Sequence, residues 1–95
     1  GPGNTIPVFL TENVSDGGNG RKVGAGGVHM KLDLIDEKQP FLQIPAIAIN
    51  MAEFYDYFKA GNPFDICYSI VENYYRGNTT LQLRIKDIKE RDEFI

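Results

Sequence analysis

"PFDICYSIVENYYRGNTTLQLRIKDI", residues 63–88, decides how this chain folds. Phe64, Ile66, Tyr68 and Ile70 recur at every second position, so they share one face of a strand. "RGN" then turns the chain. "TTLQLRIKDI" (79–88) returns with Leu81, Leu83 and Ile85 on an inward face, and with Gln82, Arg84 and Lys86 on an outward one. Two runs of period two around a glycine turn are a β-hairpin. The step from Ile85 to Ile88 breaks the alternation, as a bulge or a strand end would.

Upstream of the hairpin the period changes. In "MAEFYDYFKAG" (51–61), Met51, Phe54, Tyr55 and Phe58 fall at helical spacing as a core stripe. Asn50 is a candidate cap at its start, and Gly61 at its end. Before it, "FLQIPAIAIN" (41–50) is a strand apolar on both faces, Ile44, Ala46 and Ala48 on one and Ile47 and Ile49 on the other. That pattern asks for something packed over it, and Pro45 asks for an edge or a bulge. "DEKQP" is a turn, and "VHMKLDLID" (28–36) alternates cleanly. Met30, Leu32 and Leu34 face one way, and His29, Lys31 and Asp33 the other. "SDGGNGRKVGAGG" (15–27) holds six glycines, a density no helix tolerates. Either the first strand, "PVFLTENV" (7–14), bends at a bulge and resumes at "RKV", or a small hairpin is inserted there.

The order is β-β-β-α-β-β. A five-stranded barrel with one short helix between strands 3 and 4, plugging one end, is the all-β OB-fold arrangement. Periodicity alone also admits a small α+β sandwich. With 95 residues, 42% hydrophobic, the chain makes one domain with one modest core. The expected division is Gly1–Gly3 as an expression scar on a piece of something longer, 4–89 as the OB fold and 90–95 as a polar tail. A lone Cys67 excludes an internal disulfide and points to a reducing, cytoplasmic setting. No apolar run reaches membrane-spanning length. The net charge of −3 excludes a surface basic all round. It leaves room for a basic face, because residues 73–89 hold Arg76, Arg84, Lys86 and Lys89 against Asp87 alone.

These stretches carry a family resemblance. "VHMKLDLID", "AIAINM" and above all the closing hairpin resemble the OB domain of bacterial RecJ-type single-strand-specific exonucleases. In that family a strand H-x-K/R-L-x-L precedes A-I-A-F-x-M, and E-N-x-W-x-G-x-x-x-L-Q-L-x-I-x-D closes the domain. Glu72, Asn73, Gly77, Leu81, Gln82, Leu83, Ile85 and Asp87 match the closing pattern. Tyr75 stands where the family carries tryptophan, and "SDGGNG" reads as an insertion. The resemblance implies a noncatalytic single-stranded-DNA-binding module of a 5′-to-3′ exonuclease acting in repair and recombination. Its partners would be single-stranded DNA, the nuclease core of the same polypeptide and a single-strand-binding protein, and the parent enzyme would use Mn or Mg. The other function it admits is a bracing or protein-interaction domain that orients the nuclease core.

No catalytic residue, metal ligand set or cofactor site is expected in the chain itself. It has one histidine and scattered carboxylates, without the Asp-His-His cluster of such nucleases. "GGVH" at 26–29 is a turn opening a strand rather than the family's glycine-rich box. OB folds bind single strands by stacking bases on aromatic rings beside Lys and Arg. The ligand crosses the second and third strands between two loops. That places the candidate nucleic-acid-binding residues at Arg21, Lys22, His29, Lys31, Tyr74, Tyr75, Arg76, Arg84 and Lys86.

Overall fold

A computed structural model describes residues 6–91, apart from the side chains of Pro40 and Phe41. Residues 1–3 of the expected scar and 92–95 of the expected tail lie outside the described residues. Six strands are present among them: β1 (Phe9–Asp16), β2 (Arg21–Val23), β3 (His29–Asp36), β4 (Gln39–Ala48), β5 (Phe64–Tyr75) and β6 (Asn78–Glu90). A short helix, α1 (Tyr55–Lys59), lies between β4 and β5. The sheet order is β1-β5-β6-β4-β3-β2, and β1 also pairs with β3, which closes a ring of five strands. Every pairing is antiparallel except the short β4–β6 contact, Ala46–Ala48 beside Leu83–Ile85. Closure of the ring makes this an OB barrel and excludes the α+β sandwich. Pro45 lies just before the β4–β6 pairing, where its missing N–H costs that contact nothing.

The glycine-rich segment is a bulge rather than an inserted hairpin. Asp16 faces Leu34 and Arg21 faces Lys31, so five steps along β1–β2 match three along β3. The surplus is absorbed by Gly17–Gly20. Gly17 N–H donates to Asp33 O at 2.7 Å, and Asp16 Oδ2 accepts from the N–H groups of Gly18 and Gly20 at 3.2 and 3.0 Å. A Cβ on Gly20 would lie 2.8 Å from that carboxylate oxygen and 3.0 Å from Leu32. β2 is therefore the first strand resumed.

The core takes Met30, Leu32 and Leu34 from β3, Ala46 and Ala48 from β4, and Phe64 and Ile66 from β5. Leu83 and Ile85 of β6, Val14 of β1 and Phe58 of α1 complete it. Phe58 plugs the barrel against Phe64, ring centroids 4.5 Å apart, and burying such a ring contributes about 2–3 kcal/mol. The helix expected over 51–61 condenses to a 3-10 turn, Ala52–Phe54, and the five residues of α1. Of its stripe only Phe58 is fully buried. Met51, Phe54 and Tyr55 pack partly against the core. Asn50 does not cap it: no side-chain cap bond forms, and Asn50 sits at φ 57. At the same barrel end Asp65 accepts from Asn13 N–H at 2.9 Å and from Arg91 Nη1 at 2.7 Å. Burial pushes the Asp65 carboxyl up, but the Asn13 N–H, Arg91 and Lys89 together hold it below the usual aspartate range.

β5 and β6 run past the barrel as a two-stranded arm. β1 accompanies β5 only as far as Tyr68, and β4 touches β6 only at Leu83–Ile85. Leu81, expected in the core, is 54% exposed for that reason. The break at Ile85–Ile88 is a bulge: Tyr68 faces Ile85 and Cys67 faces Asp87, which brings Ile88 opposite Ile66. The strand then continues to Glu90. At the tip, Arg76 and Gly77 both have positive φ, 50° and 80°, as a two-residue type I′ turn requires.

Candidate nucleic-acid interface

Directly paired residues share a face of a sheet. Arg21 faces Lys31, Lys31 faces Ile47, and Ile47 faces Arg84. One lateral row therefore crosses four strands on the outside of the barrel, with three exposed cations around a half-buried isoleucine. Three interstrand spacings make it about 14 Å long. Lys86 follows Arg84 and lines a shallow groove with Ile49, Met51 and Ile85. Asp33, which accepts from Asn19 Nδ2 at 3.2 Å, marks the end of the basic patch along β3.

The bulge produces this alignment by setting Arg21 opposite Lys31. It also separates Arg21 from its neighbour. Lys22 pairs with the buried Met30 and lies over the Tyr55 ring, 5.0 Å from its centroid, away from the row. His29 is on the row's face but is a brace. Its Nδ1 accepts the Asn50 N–H at 2.9 Å, so the ring N–H is at Nε2. A Cβ on Gly24 would come within 2.6 Å of His29 Cδ2, so the ring packs directly on that turn.

The two tyrosines of the tip part company. Tyr75 pairs with Asn78 and lies on the ribbon face that carries Ser69 and its partner Arg84. Tyr74 pairs with Thr79 and lies on the opposite face with Ile70 and Leu81. Both rings are open, 68% and 75% exposed, and the Arg76 guanidinium stands 5.1 Å from the Tyr75 centroid.

Ile47 and Ile49 are absent from the sequence-based candidates. Their signal was the apolar outer face of 41–50. The structure leaves both half-exposed and outside the core cluster, at the centre of the basic patch. Among the described residues no three His, Cys, Asp or Glu side chains gather as metal ligands. No helix among them is long and apolar enough to cross a membrane.

A search of curated proteins gives no match. A family model described as the RecJ OB domain matches residues 1–87. Its span takes in the closed ring of five strands, the plug helix and nearly all of the closing hairpin, and on that match the chain belongs to the RecJ OB-domain family.

Proposed function

We propose that this domain is a noncatalytic single-stranded-DNA-binding module of a RecJ-type 5′-to-3′ exonuclease that works in repair and recombination in the bacterial cytoplasm. The observation that carries the reading is the row Arg21–Lys31–Ile47–Arg84, three cations in line across the barrel on an otherwise acidic chain. Phosphates answer to such a line, and a flexible single strand follows a short curved surface that a stiff duplex cannot. Nuclease chemistry, with its Mn or Mg, belongs in this reading to other domains of a parent polypeptide. The domain supplies tethering.

Fluorescence anisotropy with a labelled oligothymidylate, titrated over a range of salt, tests it. Three phosphate contacts give a log–log slope of about −2, at about −0.7 per phosphate on single strands. Absence of salt-sensitive binding would overturn the reading.

One observation favours a second role, bracing the nuclease core or docking a partner such as a single-strand-binding protein. Ile70, Leu81 and Tyr74 share the arm's other face, which leads down to the Phe9–Tyr68 pair. Exposed apolar side chains in such a stripe mark contact surfaces. A parent enzyme with Leu81→Ser and Tyr74→Ser that loses thermal stability but keeps its DNA affinity supports bracing. Unchanged stability counts against it.

A further inference from the structure

Resting on the reading of the basic face as a single-strand site, we propose that the domain holds its ligand at two separate points. One is the phosphate track across the barrel. The other is a single stacking ring, Tyr75, at the tip of the arm. Ser69 faces Arg84, and Tyr75 lies six residues further along β5 on the same ribbon face. At about 3.3 Å per residue the two points are about 20 Å apart. Between them this face carries Val71, Asn73, Thr80 and Gln82, with no ring and no cation.

The two points offer different chemistry. On the barrel, Ile47 is the side chain between the cations, so that point binds charge without aromatic stacking. At the tip, Tyr75 offers an open ring with the Arg76 guanidinium beside it. A short strand lying on the barrel uses charge alone. Reaching Tyr75 takes about 20 Å more chain, about six nucleotides at a spacing of about 3.4 Å each and fewer when the strand is extended. The second contact is then intramolecular and adds its stacking energy at high effective concentration. Affinity therefore rises in a step as the ligand lengthens.

The test is anisotropy titration of the 95-residue chain against labelled oligothymidylates lengthened one nucleotide at a time. Binding should tighten about tenfold, within the range of one stacked base, once the ligand outgrows the shortest binder by up to about six nucleotides. Tyr75→Ala should remove the step and Tyr75→Phe should keep it. Tyr74→Ala, an equally exposed ring on the opposite face, should keep it too. A smooth rise with length, the same in the wild type and in Tyr75→Ala, overturns the two-point geometry and leaves the phosphate track standing. Loss of the step in Tyr74→Ala as in Tyr75→Ala overturns the assignment of faces. No salt-sensitive binding at any length overturns the reading of the face and the two-point geometry with it.

Discussion

Ile47 occupies the position between Lys31 and Arg84 where an aromatic side chain would give a base somewhere to stack. Ile47→Phe should therefore tighten single-strand binding by about tenfold, toward the low end of the ~1–3 kcal/mol of a stacked base. Ile47→Glu should abolish it by setting a carboxylate between two cations. Anisotropy titrations read both, and a loss of affinity in the phenylalanine variant would count against base contact at the centre of the row. Lys31 and Lys22 make a sharper comparison, since each is an exposed lysine near the same loop. Lys31→Ala should flatten the salt slope by about 0.7, one phosphate contact. Lys22→Ala should leave the slope unchanged, because Lys22 lies over Tyr55 on the other side of the strand. Equal effects of the two substitutions would refute the face assignment.

The bulge between β1 and β2 turns a strand into part of a site. Gly20→Ala would press a methyl group against Asp16 and Leu32, at a cost of about 1–3 kcal/mol by the usual scale of overpacking. It should also weaken DNA binding, because the bulge sets Arg21 opposite Lys31. Urea denaturation and titration of the same sample check both, and a stability loss with full affinity would show that the alignment survives. The bulge is also where sequence reading reached its limit. Glycines at 17, 18 and 20 satisfy a hairpin turn and a bulge alike, and only the pairing of "RKV" with β3 separates them. The alternation in 28–36 and 64–70 was legible because one face of each strand meets the core. Leu81 continues the same alternation, yet it is exposed. Period two reports which face a side chain takes, and is blind to how far the barrel covers that face. The basic candidates were legible as residue types, while their division into Arg21, Lys31 and Arg84 on one row and Lys22 elsewhere needed the register. Asn50 read as a cap because its side chain suits one. The structure instead uses its backbone, with N–H donated to His29.

Closure of the barrel at the end away from the arm depends on one carboxylate. Asp65 Oδ1 takes Asn13 N–H from β1, where the register with β5 shifts between Thr11 and Val14, and the Arg91 guanidinium from just past the end of β6. Tyr57 ties the same end to the plug helix, donating to Pro63 O at 2.5 Å and accepting Arg91 N–H at 3.2 Å. Three strands and the helix thus converge on two side chains. Because its folded pKa is depressed, Asp65 stabilises the fold fully above its unfolded value of about 3.9. That contribution is lost as pH falls through the lower, folded value. Asp65→Asn should therefore be less stable than the wild type at neutral pH by about 1–2 kcal/mol, a charged hydrogen bond discounted for the 37% exposure of the Arg91 side chain. The difference should narrow as pH drops below about 4. Chemical denaturation at a series of pH values measures it, and a gap that stays constant into acid would remove ionised Asp65 from the account. DNA affinity of the folded variant should match the wild type, since Asp65 is not part of the row formed by Arg21, Lys31 and Arg84. The clasp keeps the ring closed, and a closed ring holds the register that aligns cations from three strands, β2, β3 and β6, into one track across β4.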